Sequence, residues 1–245
     1  MPRKLGQHFL TARSFLERIA AAACPSRVPL LVEVGPGRGA LTEHLIPRCD
    51  RLVAIEIDPL LAAGLRERFP SVEVVEADVL ETDLSSWGDA TVAGNLPYYI
   101  TSPIVERVLA MGPLLQRAVF LVQREVAERL AASPGSRDYG YLTVHTQLFA
   151  EARYLFRVPP GAFSPPPKVD SAVVLLTPRT LPVADIHGFL EFASRAFRQK
   201  RKTLRNNLAP HYGDQVARWP EAGMRAEQLS VEKLIALYQR IGSAD

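Results

Sequence analysis

The sequence has few cysteines and no long apolar run. Its 245 residues include only Cys24 and Cys49, which are too few for a disulfide framework and lack the spacing of metal ligands. No apolar stretch reaches the roughly 20 residues that a membrane-spanning helix needs. The start, MPRKLGQHFL, has neither the apolar segment nor the cleavage site of a signal peptide. We expect a reduced, cytoplasmic protein that binds no metal and no membrane, and we take it to be a monomer.

Apolar residues, by contrast, are plentiful. A hydrophobic content of 47% over 245 residues can bury one good core plus a small appended domain. The charged fraction of 22% is ordinary for a folded protein and argues against extensive disorder. The net charge of +3 is uninformative alone, but it is unevenly distributed. Residues 179–245 carry 11 Lys/Arg against 7 Asp/Glu, whereas the preceding part carries 18 against 19.

The excess positive charge is concentrated in one short segment, six basic residues with no acidic residue between them. They are Arg195, Arg198, Lys200, Arg201, Lys202 and Arg205. Such clustering is typical of a surface that binds a phosphate backbone. A solvated helix face would show the same pattern, and the run alone leaves both interpretations open.

The first two-thirds of the chain alternates short apolar runs with helical stretches. That alternation predicts an α/β fold with a parallel sheet covered by helices. Several runs are apolar on both faces, as in strands buried within a doubly wound sheet. The predicted strands are Leu30–Val34, Leu52–Ile57, Val72–Ala77, Ala90–Gly94 and Ala118–Gln123.

Two later β-rich stretches, LFAEARYLFRV and SAVVLLTPR, flank the segment PPGAFSPPPKVD. So many prolines leave no room for a crossover helix, which predicts an antiparallel pair joined by a stiff loop. After Pro182 the pattern is helical only, in IHGFLEFASRAFR, KTLRNNL and VEKLIALYQRI. We place a domain boundary near residue 180.

A glycine-rich turn, GPGRGA, follows the first predicted strand and precedes a helix. Gly35 and Gly37 allow a tight turn and the close approach of a ligand to the backbone. Glu56 lies 19 residues after Gly37, near the end of the next strand, where its carboxylate can accept both hydroxyls of a ribose. The glycine-rich turn and Glu56 could bind NAD or S-adenosylmethionine equally well, so they do not decide between the two cofactors.

Asp78 closes the third predicted strand, in EADVL. An acid at the carboxyl end of a parallel strand lines the ligand crevice and can accept a hydrogen bond from a cofactor adenine. It can equally cap the following turn. Gly35, Glu56 and Asp78 lie at three successive strand ends, and together they indicate a ligand site more specifically than any one of them does.

The segment GNLPYY, at residues 94–99, is the most informative for chemistry. An exocyclic aromatic amine is a poor nucleophile, because its lone pair is delocalised into the ring. The Asn95 side-chain oxygen and the Leu96 carbonyl can accept its two N–H groups and turn the lone pair toward a methyl donor. Pro97 stiffens that carbonyl, and Tyr98 can stack on a base drawn out of its strand. A plain turn after a strand is the alternative.

Segments along almost the whole chain resemble the KsgA-type small-subunit (16S) rRNA adenine N6-dimethyltransferases, within the rRNA adenine dimethylase family. They include GQHFL, VEVGPGRGALTEHL, GNLPYYITSPI, FSPPPKVDSAVV and FRQKRKTLRNNL. The resemblance implies a Rossmann-like class I methyltransferase fold, a mostly parallel seven-stranded sheet with an antiparallel last strand. It also implies a methyltransferase domain over residues 1–180 and a small all-helical, rRNA-binding domain over 181–245.

The resemblance further implies site residues. The catalytic residues would be Asn95, Leu96, Pro97 and Tyr98. Those contacting S-adenosylmethionine would be His8, Leu10, Gly35, Gly37, Glu56, Asp78 and Asn95. Phe163 would face Tyr98 across the target adenine, and packing under its loop is the alternative. The six basic residues between Arg195 and Arg205 would hold the RNA.

Two features depart from the family pattern. The family usually carries Asn where this chain has His8, although a histidine can still donate or accept a hydrogen bond. Only five residues precede GQHFL, where family members often have a longer arm.

The implied reaction is dimethylation at N6 of two adjacent adenosines in the 3′-terminal hairpin loop of small-subunit rRNA, within an assembling 30S-type subunit. A dimethylase of the antibiotic-resistance type, acting on large-subunit rRNA, is the nearest alternative. An RNA-binding assembly or transcription factor that keeps the fold without the activity is a second alternative, and an NAD enzyme is a third.

Overall fold

The computed structural model of the protein describes residues 8–242, and its described residues divide into two compact units. The first comprises the chain up to Ala127 together with Ala150–Pro178, and the second comprises Glu128–Phe149 and the chain from Arg179. The second crossing, between Pro178 and Arg179, lies near the boundary predicted at residue 180, and Glu128–Phe149 groups with the helical unit. The division into domains 1–180 and 181–245 stays a prediction.

A seven-stranded sheet forms the centre of the first unit. In chain order its strands are β2 (Val28–Val34), β3 (Cys49–Glu56), β4 (Glu73–Glu76), β5 (Ala90–Asn95), β6 (Leu115–Gln123), β7 (Ala150–Val158) and β9 (Ser171–Pro178), with β1 and β8 in a separate small sheet described below. Their spatial order is β4-β3-β2-β5-β6-β9-β7. All five strands predicted in the first part of the chain are present, with ends displaced by up to three residues.

The strand order reverses between β2 and β5. The chain runs outward from β2 through β3 to β4, and then returns to place β5 on the other side of β2. The strands β2 to β6 are parallel, so their carboxyl ends lie at one edge of the sheet. A crevice outside the carboxyl ends at such a reversal is the usual ligand site of this architecture.

The antiparallel pair expected near the end of this unit is confirmed. Strand β9 lies between β6 and β7 and is antiparallel to both. The fold class expected from the sequence, a mostly parallel seven-stranded sheet with an antiparallel last strand, is therefore confirmed. The β-rich stretch LFAEARYLFRV is helical at its first two residues. The helix Tyr141–Phe149 (α6) continues to its last residue there, and β7 begins directly at Ala150.

A small second sheet was not predicted. Strand β1 (Phe9–Leu10) pairs antiparallel with β8 (Phe163–Ser164), inside the proline-rich loop. The Thr11 N–H also donates to the Ala162 carbonyl at 2.9 Å. Each strand has two residues, too short for any periodicity, and the partners are separated by more than 150 positions in the chain.

Helices alternate with the strands of the first unit. They are α1 (Arg13–Ala23), α2 (Ala40–Leu45), α3 (Pro59–Arg68) and α4 (Thr101–Leu109), and α5 (Arg124–Leu130) crosses into the second unit. The start of α3 has a clear local cause, since Asp58 accepts from the backbone N–H groups of Leu60 and Leu61 and proline occupies the first helical position.

Four helices and short 3-10 turns build the second unit. The helices are α6 (Tyr141–Phe149), α7 (Ile186–Ala196), α8 (Leu204–Tyr212) and α9 (Val231–Gly242). Their apolar faces enclose a separate core that includes Phe189, Phe192 and Leu234. Within the described part of the chain, no helix combines the length and apolar character needed to cross a membrane.

A buried asparagine joins two of these helices. The Asn207 side chain, on α8, donates to the carbonyl of Ala196 at 2.8 Å and to that of Gln199 at 3.2 Å, where α7 has ended. Helix ends leave carbonyls without partners, and this amide supplies two of the missing donors. It therefore holds the loop between α7 and α8, which carries most of the basic segment.

We expect Asn207→Ala to lower the free energy of unfolding by about 2 kcal/mol, because it leaves buried carbonyls without donors. Urea denaturation followed by circular dichroism measures the change. The matched control is Asn206→Ala at an exposed position of the same helix, for which we expect a change within about 0.5 kcal/mol. Equal stabilities for the two variants would contradict this account.

Candidate active site

The loop after β2 contains three glycines in the left-handed region of backbone space. Their φ angles are +65° at Gly35, +58° at Gly37 and +80° at Gly39, which residues with a Cβ rarely adopt. At Gly39 a Cβ would also lie 2.4 Å from a ring carbon of Phe69. The chain therefore turns sharply into α2, and the backbone of this loop forms one wall of a pocket.

Glu56, the last residue of β3, is buried beside this loop. Its Oε2 accepts the Gly37 N–H at 3.0 Å, and its Oε1 accepts the Asp58 N–H at 3.0 Å. A carboxylate has about four acceptor positions. Two backbone hydrogen bonds therefore leave it able to accept the hydroxyls of a ribose.

Asp78 lies two residues beyond the end of β4 and lines the same pocket. Its Oδ1 accepts the Leu80 N–H at 2.9 Å, so the turn-capping role considered from the sequence is present. The two roles are compatible, since a carboxylate that caps a turn keeps further acceptor positions.

Asn95 ends β5 and lines the same pocket as the glycine loop. Its Nδ2 donates to the His8 carbonyl at 3.1 Å, which orients Oδ1 away from that carbonyl. After it, the Pro97 carbonyl accepts the Ile100 N–H at 3.2 Å and the Thr101 hydroxyl at 3.1 Å. These bonds fix the backbone on both sides of Leu96.

The Tyr98 side chain is held at its ring and at its hydroxyl. The ring stacks on His8 with centroids 5.8 Å apart, and the hydroxyl lies 2.6 Å from the Ser171 Oγ at the start of β9. Burial raises the pKa of Tyr98, although the Ser171 hydrogen bond opposes that effect. Tyr98 therefore keeps its proton at neutral pH.

The structure thus brings most of the predicted site residues into one pocket. Lining it are all the residues expected to contact the cofactor and all those expected to be catalytic: His8, Leu10, Gly35, Gly37, Glu56, Asp78, Asn95, Leu96, Pro97 and Tyr98. Their individual roles stay predictions.

Phe163, predicted to face Tyr98 across the target adenine, is not among these residues. Its side chain is buried in the hydrophobic core of the first unit, together with Leu10 and Val158. This is the packing considered as the alternative in the sequence. Stacking on a target adenine would require the ring to turn out of that cluster.

Glu33 is a pocket residue that the sequence analysis missed. It lies on β2, is almost fully buried, and accepts the Thr42 hydroxyl at 2.6 Å. Burial raises the pKa of Glu33 to about 8, with a further rise from the nearby charge of Glu56. The available signal was an acid inside a strand that is otherwise apolar, two residues before Gly35.

The basic segment belongs to the second unit, and its members differ. Arg195 forms an ion pair with Glu191 on α7 and also contacts the Tyr212 hydroxyl at 3.0 Å. Lys200 lies 3.7 Å from Glu227 and donates to the Arg137 carbonyl. These two residues have structural partners.

The remaining four residues of the segment are exposed, with no ion pair to another described residue: Arg198, Arg201, Lys202 and Arg205. The backbone N–H groups of Leu204 and Arg205, in the first turn of α8, already donate to carbonyls at 2.7 and 3.0 Å. A phosphate bound here would therefore be recognised by side chains, chiefly by these four.

The raised pKa of Glu33 has a measurable effect on stability. The unfolded chain releases this proton above the ordinary pKa of 4.5, whereas the folded protein retains it to about 8. The unfolded state therefore binds fewer protons over this window, and the wild type loses stability as pH rises through it. Glu33→Gln keeps an acceptor for Thr42 and removes the titration. We expect the wild type to lose stability relative to this variant between about pH 5.5 and about pH 7.5.

Urea denaturation at several pH values measures this difference. Glu67→Gln, which removes one carboxylate at an exposed position on α3, is the matched control. A pH-independent difference for Glu33→Gln would mean that Glu33 is ionised in the folded protein.

The chain is also similar to known proteins. The sequence profile of the family described as ribosomal RNA adenine dimethylase matches residues 1–242. The chain is similar to the Ribosomal RNA small subunit methyltransferase A of Chlorobium chlorochromatii, with 42% identity over 98% of this chain and 93% of that protein. It is 46% identical to the protein of the same name from Acidobacterium capsulatum, over 97% and 90% of the two chains.

Solved structures with the same fold include a dimethyladenosine transferase from Plasmodium falciparum. It has a TM-score of 0.80 and 25% identity, and the match covers 96% of this chain and 98% of that one. The 23S rRNA methyltransferase ErmE has a TM-score of 0.75 and 30% identity, over 96% and 99%. With its glycine loop, buried Glu56 and Asn95–Tyr98 turn in one pocket, the chain belongs to the ribosomal RNA adenine dimethylase family.

Proposed function

We propose that this chain transfers methyl groups from S-adenosylmethionine to the exocyclic N6 of adenine in small-subunit rRNA, during subunit assembly. One observation carries the proposal: the Asn95–Tyr98 turn and a nucleotide-type cofactor site share one pocket. The choice of the small subunit is supported by the names of the relatives. The proposal includes a cytoplasmic monomer and, as the finer target, two adjacent adenosines of the 3′-terminal hairpin.

The described residues fit the proposed cofactor. Glu56 would accept the ribose hydroxyls, and Asp78 would accept the amino group of the cofactor's adenine. The left-handed backbone at Gly35 and Gly37, which glycine adopts without strain, shapes the loop, and the missing Cβ at Gly35 leaves room for a ligand against it. When bound, S-adenosylmethionine supplies a methyl carbon that its sulfonium activates for displacement.

Asn95 and Leu96 activate the nucleophile by accepting its hydrogens. The N6 lone pair of adenine is delocalised into the ring, and two N–H···O bonds with fixed acceptors rotate it toward the methyl donor. The His8 carbonyl orients the Asn95 amide, and the turn after Pro97 fixes the Leu96 carbonyl. Catalysis is then positioning together with electrostatics, and the product loses its proton to solvent afterwards.

Tyr98 provides the surface on which the target base rests. A base inside a helix or stack cannot reach the donor, so the enzyme must bind it unstacked. The Tyr98 ring, held through Ser171 and His8, is a preformed aromatic platform for that base. The exposed basic residues of the second unit, led by Arg201 and Arg205, would contribute phosphate contacts.

A dimethylase acting on large-subunit rRNA is the second candidate, favoured by the structural likeness to the 23S rRNA methyltransferase ErmE. Labelled methyl transfer to isolated small-subunit and large-subunit RNA, followed by mapping of the labelled bases, distinguishes the two. Label confined to large-subunit RNA would overturn the proposed substrate.

We expect Asn95→Ala to slow methyl transfer by at least about 100-fold, because it removes one of the two acceptors for N6. Single-turnover transfer to undermodified small subunits measures the chemical step. RNA affinity should change little, since the phosphate contacts are intact.

The matched control is Gln116→Ala, another amide, which lies near the amino end of β6 and away from the pocket. It should retain the wild-type rate. Full methyl transfer by Asn95→Ala would refute the mechanism.

The Tyr98–Ser171 hydrogen bond offers a second test. Ser171→Ala and Tyr98→Phe each remove that bond, worth about 1 kcal/mol net, so each should lower kcat about fivefold. The double variant should lose little more than either single variant, because both changes remove the same interaction. Fully additive losses would show that Ser171 does not act through Tyr98.

A further inference from the structure

A second cleft lies beside the residue that holds Tyr98. Its walls come from the end of β6 and from the loops before β8 and before β9: Gln123, Arg124, Glu125, Pro160, Lys168, Val169 and Asp170. We call it the Asp170 cleft. None of its residues was assigned a function from the sequence.

One carboxylate of this cleft is shared by two arginines, of which Arg124 lines the cleft and Arg157 adjoins it. Asp170 accepts from the Arg157 guanidinium at 2.8 Å and lies 3.5 Å from the Arg124 guanidinium. Lys168 is exposed beside them. With Glu125 included, the cluster has three positive charges against two negative ones.

Both arginines reach solvent more than the carboxylate that they share. The Arg124 and Arg157 side chains are 49% and 59% exposed, whereas the Asp170 side chain is only 18% exposed. The Arg157 guanidinium has five N–H donors, and its hydrogen bond to Asp170 uses one of them. Asp170 is thus largely covered, whereas the two arginines, Lys168 and Glu125 face solvent. Asp170 sets the spacing of two guanidinium groups that would otherwise repel each other.

The cleft is connected to the target pocket through the sheet. Ser171, whose hydroxyl contacts Tyr98, pairs with Gln123 at the last register position between β6 and β9. Arg124 directly follows β6 and Asp170 directly precedes β9. The Arg124 N–H donates to the Asp170 carbonyl at 3.0 Å. One residue step is about 3.8 Å between Cα atoms. The cleft therefore begins next to the base platform.

We propose that the Asp170 cleft binds a backbone phosphate of the RNA strand beside the target adenosine. The inference rests on the proposed RNA substrate. A base withdrawn onto Tyr98 brings its own sugar and phosphates to the mouth of the pocket, within reach of the cleft. Arginine forks match the oxygens of a phosphate, and Lys168 adds a point charge. These contacts position the strand and read no sequence.

The test is the salt dependence of RNA binding. The affinity of the full-length protein for a small-subunit rRNA transcript is measured by filter binding over a series of KCl concentrations, for Arg124→Gln, Arg157→Gln and Lys168→Gln. Each lost phosphate contact removes about 0.7 to 0.9 of a released counterion, which corresponds to about five- to eightfold weaker binding at 0.1 M salt. The magnitude of the salt slope should fall by about one in each variant.

Arg51→Gln is the matched control. Arg51 is a half-exposed arginine paired with Glu73 at 2.6 Å, near the amino ends of β3 and β4 and thus at the opposite edge of the sheet. Its RNA affinity and salt slope should equal those of the wild type. Thermal melting and S-adenosylmethionine binding by calorimetry verify that every variant is folded. If an arginine variant is unstable, Lys168→Gln decides, because it breaks no ion pair with another described residue.

Wild-type affinity and slope in the folded cleft variants would overturn the proposal. So would an equal loss in Arg51→Gln, which would indicate a general charge effect. Failure here differs from failure of the proposed function. The cleft is tested by RNA binding, which Asn95→Ala retains, whereas the reaction is tested by methyl transfer, which Asn95→Ala loses.

Discussion

The close approach of β2 and β5 at their carboxyl ends is the constraint on which the site depends. At Gly94 a Cβ would lie 2.5 Å from the Val34 carbonyl oxygen, so only glycine fits where the two backbones meet. One residue further along each strand stand Gly35 and Asn95, and a Cβ on Gly35 would lie 3.9 Å from the Asn95 carbonyl oxygen. The turn proposed to hold the methyl donor and the turn proposed to present the acceptors are therefore neighbours, because β2 and β5 lie side by side where the strand order reverses.

Around this junction, polar groups from distant parts of the chain orient one another. The His8 carbonyl holds the Asn95 amide, the His8 ring lies on Tyr98, and the His8 Nδ1 is 2.8 Å from the Pro165 carbonyl oxygen. Ser171 holds the Tyr98 hydroxyl from the far side. Almost every group proposed to touch the adenine is thus positioned by a second group, which is how a site retains geometry without a bound ligand.

The sequence predicted features that depend on local pattern or on strand ends. The apolar runs identified the strands, and Gly35, Glu56, Asp78 and Asn95 were placed together because parallel strands bring their carboxyl ends to one edge. It could not predict that Phe163 is buried, since a phenylalanine in a loop has no periodicity that tells inside from outside. The sequence could not predict the pairing of β1 with β8 either, because strands of two residues show no periodicity. The sequence does not indicate which core Glu128–Phe149 joins, because its helical pattern is the same in either.

The pairing of the amino-terminal strand with the proline-rich loop has a consequence for the order in which the protein is made. His8 and Pro165 are separated by 157 positions, and contacts of such separation form only after most of the chain exists. Synthesis proceeds from the amino terminus. The glycine loop can fold early in translation, but the wall of the pocket that includes His8 waits for the arrival of Pro165 and Ser171. A nascent chain stopped before β8 would carry the cofactor loop and Tyr98, but not Pro165 and Ser171, which contact His8 and the Tyr98 hydroxyl.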